Sequence, residues 1–207
     1  MVRYVEIHPV DPQPRLVEKA VEVIREGGVI AYPTDSGYAI GCSLANQDGL
    51  GRMKMLRHLD DKHHFTLVCR DFAQLGQMVM VSNANFRLIK GLTPGPYTFI
   101  LKGTKEVPRM TLNPKKQTVG VRIPDHTIAL SLVESLGEAI LSTTLILPGQ
   151  SEPMSEGWVI RDEIGHMLDA VVEGPVGTTG PTTVLDLTED YPRVARLGAG
   201  DVSFLDN

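Results

Sequence analysis

The chain has 207 residues, of which 42% are hydrophobic and 22% are charged, and its formal net charge is −5. These proportions predict a soluble globular protein with one sizeable core, and they exclude a disordered, collagen-like or disulfide-rich chain. No apolar run approaches the ~20 residues that cross a bilayer, and the charged N-terminus lacks the apolar stretch of a signal peptide. We therefore expect a cytoplasmic protein with no membrane partner.

Apolar periodicity and turn residues predict helices and strands that interleave along the whole chain. The first helix is expected between an Asp11-Pro12 cap and the glycines Gly27-Gly28, and Asp48 is expected to cap the second. Further helices are predicted at 71–78, 83–92, 127–136 and 156–167. Strands are predicted at 29–32, 37–42, 65–69, 97–102, 118–123, 139–142, 170–173, 182–187 and 193–197.

This interleaving predicts the fold class. No internal repeat and no Pro/Gly/Ser-rich linker divides the chain, so residues 1–207 are expected to form a single domain. Strict alternation of helix and strand fails near the ends, which favours an α/β (α+β) domain with a mixed sheet over a doubly wound parallel sheet.

Positive charge is concentrated in two segments of this acidic chain. Six basic residues and one acid lie within 101–124, while four basic residues, two acids and three histidines lie within 52–64. Such segments suggest a local surface for anions, although solvated helix and loop faces would give the same pattern.

The usual enzyme signatures are absent from the sequence. There is no P-loop, no G-x-G-x-x-G, no H-E-x-x-H and no G-x-S-x-G. Cys42 and Cys69 lie in apolar runs without C-x-x-C spacing, so reduced core thiols are expected. No metal site is predicted.

Two polar stretches border apolar strands. The loop that follows the first strand carries hydroxyl and carboxylate groups over residues 32–38. In the strand at 118–123, Arg122 stands within an apolar run, and a buried arginine needs a partner. Either a structural carboxylate or a bound anion could be that partner.

Four segments in order resemble the YrdC-like family, and within it the YciO branch. They are Tyr32-Pro-Thr-Asp-Ser-Gly-Tyr-Ala-Ile-Gly41, Pro94-Gly-Pro-Tyr-Thr98, Thr118-Val-Gly-Val-Arg-Ile-Pro124 and Thr182-Thr-Val-Leu-Asp186. The resemblance implies a YrdC/RibB-like fold, a twisted open mixed sheet flanked by helices with a concave basic face. It also implies the chemistry of threonylcarbamoyl-AMP synthases, which join L-threonine, bicarbonate and ATP for the N6-threonylcarbamoyladenosine of tRNA.

The resemblance implies roles for individual residues. The threonine pocket would use Thr34, Tyr38, His64, Arg122 and Thr182, and the nucleotide end would use Lys54, Arg57, Thr144 and Arg196. Arg57 and Arg122 would be the catalytic cations. ATP with Mg²⁺ would be bound only as substrate, with no permanently bound cofactor. His63 is expected to be only a solvated neighbour of His64.

Two positions depart from the synthase pattern. Leu59 stands where a K-x-R motif has its arginine, and Ile146 stands where an S-x-N motif has its asparagine. Each loss removes a contact worth roughly 1.5–3 kcal/mol. Lys54, one helical turn before Arg57, is expected to restore the missing cation.

Three functional hypotheses follow from these patterns. The first is an enzyme of the threonylcarbamoyl-adenylate type, acting by synthesis or hydrolysis. The second is a translation-related factor that binds double-stranded RNA or tRNA through the two basic segments; aromatic residues are only 5% of the chain, which argues against stacking on single strands. The third is a sensor that binds an amino acid or nucleotide without turnover.

Overall fold

The computed structural model describes residues 1–60, 63–177 and 180–205. In that part of the chain the helices are α1 (Pro14–Arg25), α2 (Gln47–Arg57), α3 (Phe72–Met78), α4 (Asn83–Leu92), α5 (Thr127–Leu136) and α6 (Gly157–Ile164). The strands are β1 (Arg3–Glu6), β2 (Ile30–Thr34), β3 (Gly37–Ser43), β4 (Thr66–Val68), β5 (Tyr97–Lys102), β6 (Thr118–Arg122), β7 (Ile140–Thr144), β8 (Ala170–Glu173), β9 (Thr183–Asp186) and β10 (Arg193–Arg196).

All ten of these strands join one mixed sheet. Their order is β1-β8-β2-β3-β7-β4-β6-β5-β9-β10. The pairs β1/β8, β2/β8, β4/β6 and β5/β9 are parallel, and the remaining neighbours are antiparallel. Strands from both ends of the chain thus share one sheet, as expected for a mixed α/β domain.

Helices cover both faces of the sheet, so the central strands are apolar on both sides. Successive residues alternate between the two faces, because side chains in a strand point to opposite sides. Ile30 and Tyr32 of β2 pack beneath α1 and α5, whereas Ala31 packs with the core beneath α2, α3, α4 and α6. This burial on both faces explains why all of β2 and β6 is buried.

Local signals set most element boundaries. The predicted bounds of α4, α5, β5 and β8 are those of the structure. Two predicted caps are wrong. α1 begins at Pro14 without a side-chain cap, since proline at the first position needs no hydrogen bond for its nitrogen. Asn46 rather than Asp48 caps α2, where its Oδ1 accepts the Gly49 N–H at 2.9 Å.

The N-terminal strand β1 was not predicted. It has four residues and only Val5 is buried, so no period-two pattern could mark it. Its backbone pairs in parallel with β8 at the sheet edge. Within the described residues, no helix has the length and apolar character needed to cross a membrane.

Candidate functional site

A cavity of about 240 Å³ lies over the middle of the sheet. Ala39 and Val68 belong both to its lining and to the core beneath α1 and α5, so the cavity continues that face of the sheet. Its described lining contains three guanidinium groups, two imidazoles and eight hydroxyls, and no aspartate or glutamate. A site with this lining favours small anions that offer several hydrogen-bond acceptors.

Strand β6 places Arg122 in the cavity. Gly120 and Arg122 line the cavity while Val119 and Val121 enter the opposite core, as the alternation of a strand requires. Gly120 keeps this floor open. A Cβ there would lie 3.0 Å from Thr66 Oγ1 and 3.1 Å from the Phe65 carbonyl oxygen.

The two terminal nitrogens of the Arg122 guanidinium are hydrogen-bonded, whereas its Nε is not. Its Nη2 donates to Asp35 Oδ1 in a short ion pair, and its Nη1 donates to Ser36 Oγ at 2.9 Å. Its Nε has no hydrogen-bond partner among the described residues, although only 6% of the residue is exposed. Asp35 is therefore the structural carboxylate expected for this arginine, and Nε is a buried donor that no described residue satisfies.

The turn between β2 and β3 holds the groups that face Arg122. Thr34 Oγ1 donates to the Gly37 carbonyl at 2.7 Å and accepts the Ser36 N–H at 3.1 Å. Gly37 has a φ of +95°, a conformation in which a side chain would be strained. This turn brings Thr34 and Ser36 into the cavity wall.

Arg57 enters the cavity from the last turn of α2. Its Nε donates to the Ile146 carbonyl at 3.1 Å and its Nη1 donates to Thr143 Oγ1 at 2.5 Å. Burial, reinforced by the charge of Arg196, lowers the pKa of Arg57 to about 10. Cations therefore crowd this end without a compensating carboxylate in the described lining.

Arg196 approaches from the edge strand β10. Its Nη2 donates to the Thr182 carbonyl at 2.8 Å and to Thr182 Oγ1 at 3.1 Å, and burial lowers its pKa. Thr182 Oγ1 also lies 2.9 Å from Thr98 Oγ1. Arg196 and Thr182 thus form one wall, and Thr144 lines the same cavity.

Both histidines of the 63–64 pair line the cavity. His64 Nε2 lies 3.3 Å from Thr118 Oγ1, and burial lowers the pKa of His64. The expectation that His63 is a solvated neighbour is wrong. Its Nε2 lies 3.0 Å from Thr143 Oγ1, and burial, with the charge of Arg57, lowers its pKa to about 4.

Tyr38 does not line the cavity, contrary to the prediction. It is completely buried on the opposite face, where its hydroxyl lies 3.1 Å from the carbonyl oxygens of Val172 and Gly174. The reason is strand alternation: the next residue, Ala39, lines the cavity, so Tyr38 must point away from it. Tyr38 therefore has a packing role.

The nucleotide end also differs from the prediction. Arg57 lines the cavity, whereas Lys54, which lies in the same last turn of α2, is not among the described lining residues. Leu59 packs partly buried against the core beneath α2, whereas Ile146 lines the cavity. Of the two departures from the synthase pattern, only Ile146 changes the described cavity wall.

The two basic segments meet at the cavity through Arg57 and Arg122, but their other described basic residues do not line it. Arg52 donates to Asp169 Oδ2 at 2.6 Å and to the Met167 carbonyl, away from the cavity. The end of β5 and the connection from β5 to β6 carry an exposed set of basic residues, Lys102, Lys105, Arg109, Lys115 and Lys116. In the described ranges, no three His, Cys, Asp or Glu side chains converge as metal ligands.

The protein is thus an α/β domain with a cation-lined cavity above an open mixed sheet. The family model of Sua5, YciO and YrdC, described as telomere recombination, matches residues 22–198, and the chain belongs to this family. The uncharacterized protein YciO of Escherichia coli K12 is 50% identical over 202 residues, 98% of each chain. The threonylcarbamoyl-AMP synthase of Nitrosococcus oceani is 32% identical over 172 residues, 82% of this chain and 92% of that one.

Solved structures show the same fold. The crystal structure of E. coli YciO has a TM-score of 0.95 and 49% identity, and the match covers 98% of both chains. The crystal structure of P. abyssi Sua5 complexed with L-threonine has a TM-score of 0.85 and 24% identity, and covers 96% of this chain and 57% of that one. The predicted fold class, an open mixed sheet flanked by helices, is confirmed.

Proposed function

We propose that this protein is an enzyme of the threonylcarbamoyl-adenylate type. In the forward reaction, L-threonine, bicarbonate and ATP give threonylcarbamoyl-AMP, pyrophosphate and water. The proposal is supported by membership of a family that includes a threonylcarbamoyl-AMP synthase 32% identical to this chain. The observation that carries it is Arg122, a cavity residue whose buried Nε donor has no partner among the described residues.

The carboxylate of L-threonine is the anion proposed for Arg122. A carboxylate accepts a charge-assisted hydrogen bond from Nε, and such bonds are about twice as strong as neutral ones. Thr34 and Ser36 beside Arg122 offer hydroxyls to the polar groups of the amino acid. The existing ion pair with Asp35 fixes the guanidinium in place before the ligand arrives.

The phosphates of ATP are proposed to lie at Arg57 and Arg196. Both guanidiniums are already held by protein oxygens, and the described lining offers no carboxylate to repel a phosphate. Cations held in advance stabilise the charge that develops on the α-phosphate during attack by the carbamate. Since no carboxylate of the described lining is available to hold a metal, Mg²⁺ would enter with the nucleotide and neutralise part of its charge.

The test is the formation of labelled threonylcarbamoyl-AMP from ¹⁴C-bicarbonate, L-threonine and ATP, read by chromatography together with pyrophosphate release. Arg122→Lys keeps a positive charge but lacks a guanidinium Nε–H, so it should lose at least tenfold in apparent affinity for L-threonine. The matched control, Arg161→Lys, changes an exposed arginine outside the cavity and should behave as the wild type.

The outcomes separate the enzyme from a sensor. Product that depends on all three substrates supports the proposal. Binding of ATP and L-threonine without synthesis of the adenylate or hydrolysis of added adenylate would identify a sensor instead. Equal loss in the Arg122 and Arg161 variants would contradict the assigned role of Nε.

We propose a second candidate, binding of duplex RNA or tRNA, because five exposed basic residues lie at the end of β5 and on the connection from β5 to β6. Backbone contacts to an A-form helix need no aromatic platform. Replacing Lys115 and Lys116 with glutamine should weaken binding of a 20-base-pair RNA and reduce its salt dependence. An affinity that is insensitive to salt would remove this candidate.

A further inference from the structure

Three polar side chains at the Arg57 end of the cavity form a hydrogen-bonded chain. Arg57 Nη1 lies 2.5 Å from Thr143 Oγ1, and Thr143 Oγ1 lies 3.0 Å from His63 Nε2. Thr143 is only 5% exposed, and all three residues belong to the described cavity lining. The edge of the His63 ring also packs at Phe65, with ring centroids 5.2 Å apart and planes at 86°, which fixes the orientation of the imidazole.

The hydrogen bonds of this chain have a direction. A guanidinium can only donate, so Thr143 Oγ1 accepts from Arg57 and its own hydrogen must point elsewhere. In the described part of the chain, the acceptor within reach of that hydroxyl is His63 Nε2. The neutral tautomer of His63 with its hydrogen on Nδ1 gives this hydroxyl hydrogen an acceptor, whereas the other neutral tautomer would donate to the second lone pair of Thr143 Oγ1. We assign the first tautomer to the free protein because it satisfies the hydroxyl hydrogen.

The surroundings of His63 keep the imidazole neutral in the free cavity. Arg57, His64 and Arg196 oppose a positive charge on the ring, and Asp60 favours one. Burial opposes the charge more strongly than any of these groups, and the pKa of His63 falls to about 4. An anion beside the same ring reverses this balance, because it cancels the repulsion from the two arginines and attracts the proton.

We propose that a polyphosphate ligand entering this cavity brings a proton onto His63 Nε2, and that this proton makes both His63 and Thr143 donors to the ligand. This inference rests on the proposed function, since ATP is the polyphosphate of that reaction. Once Nε2 carries a hydrogen, it no longer accepts from Thr143. The hydroxyl hydrogen of Thr143 is then free to turn towards a phosphate oxygen.

Binding of one proton by His63 thus makes two side chains, His63 and Thr143, available as hydrogen-bond donors to the ligand. In the free protein the Thr143 hydroxyl donates to His63 Nε2. The strong donors at this end of the described lining are then the arginines. In the complex the imidazolium supplies a further charge and the hydroxyl supplies a further neutral donor. The imidazolium and hydroxyl donors become available only when an anion is bound, so the protein without ligand does not carry an additional buried charge.

The experiment measures proton uptake on binding of ATP by calorimetry at pH 6.5 in two buffers with different enthalpies of ionisation. His63→Gln keeps a neutral group that can accept from Thr143 but cannot take up a proton. The wild type should bind up to about one proton more than His63→Gln. Titration of ATP itself is common to both proteins and cancels. His166→Gln, the same replacement at an exposed histidine, is the matched control and should match the wild type.

Affinity and spectroscopy give two further readouts. Between pH 7.5 and pH 5.5 the affinity for ATP should rise up to roughly tenfold more in the wild type than in His63→Gln. In the wild type alone, the ¹H and ¹³C shifts of His63 Cε1 should report a higher pKa with ATP than without it. This measurement remains available if the variant does not fold.

The outcomes distinguish this inference from the proposed function. Equal proton uptake by the wild type and His63→Gln, or an unchanged titration of His63, would overturn the inference and leave the proposed function standing. Proton uptake that depends on His63 without adenylate chemistry would uphold the inference and reject the proposed function. A wild type that does not bind ATP would reject both.

Discussion

Arg122 of the cavity wall forms a buried ion pair with Asp35, which is not part of the described lining, and the side-chain exposures of Asp35 and Arg122 are 10% and 7%. The second oxygen of Asp35 accepts the Asp125 N–H at 3.0 Å, so the carboxylate links the β2–β3 turn to the chain that follows β6. This pair fixes the orientation of the cationic group that we assign to the substrate carboxylate, and removal of either partner would leave a buried charge unpaired.

The ion pair gives the first prediction. Asp35→Asn leaves the charge of Arg122 buried without its counter-ion, and the free energy of unfolding should fall by roughly 3 kcal/mol. Urea denaturation measures this change. Asp162→Asn removes the partner of Arg161 in a pair whose side chains are 55% and 42% exposed, so its effect should stay below about 1 kcal/mol. Similar losses in the two variants would show that the Asp35 pair is not buried in solution.

Tyr38 gives a prediction that separates packing from binding. Tyr38→Phe removes a hydroxyl that lies near two backbone carbonyls and accepts the Gly174 N–H at 3.2 Å. The unfolding free energy should fall by about 1–2 kcal/mol while the affinity for L-threonine stays unchanged. Denaturant unfolding and calorimetry measure the two quantities.

Thr182→Val is the matched comparison for Tyr38→Phe. It removes a cavity hydroxyl that accepts from Arg196 and lies beside Thr98, so ligand affinity should fall. If Tyr38→Phe lost affinity for the ligand and Thr182→Val did not, the assignment of Tyr38 to packing and of Thr182 to the cavity would be contradicted.

The order of the motifs explains which site residues could be predicted from the sequence, and the alternation of side chains along β3 explains the error at Tyr38. The family resemblance carried by four motifs in order implied that Thr34, His64, Arg122 and Thr182 would come together, and all four line the cavity. Tyr38 was misplaced because its motif does not say which face of β3 meets the cavity. That information lies in the pairing of Ala39 with Thr144, which connects residues distant in sequence.

His63 was missed for a related reason. Its contact with Thr143 joins residues 80 positions apart, and no local pattern marks a histidine that is buried by distant strands. The fold class was easier to predict, since the periodicity of α5 and the apolar runs of β5 and β8 are local. β1 has no such signal, because its position depends on β8.

Ile146 gives a prediction about the substituted cavity wall. Ile146→Asn places an amide where an apolar side chain now faces the cavity, and the backbone carbonyl that accepts from Arg57 is retained. The affinity for ATP should rise by roughly tenfold, the equivalent of one added hydrogen bond to a charged group. Calorimetric titration with ATP measures it.

Leu59→Gln is the control for Ile146→Asn. Leu59 packs against the core and is not part of the described lining, so this change should reduce stability without altering the affinity for ATP. A change in affinity at Leu59 as large as that at Ile146 would contradict the assigned cavity wall.

The pH dependence of stability provides the last prediction. The pKa of His63 lies at about 4 in the folded protein and near 6.5 in the unfolded chain, so the unfolded chain binds more protons between these values. The free energy of unfolding is therefore unaffected by this histidine above pH 6.5 and falls as the pH is lowered from 6.5 to 4. Between pH 7 and pH 4 the wild type should lose on the order of 2 kcal/mol more than His63→Gln, because partial exposure of the ring reduces the full effect. Urea denaturation at each pH measures the difference; His126 is common to both proteins and its contribution cancels. Parallel stability curves for the two proteins would show that His63 is not held neutral by the cavity.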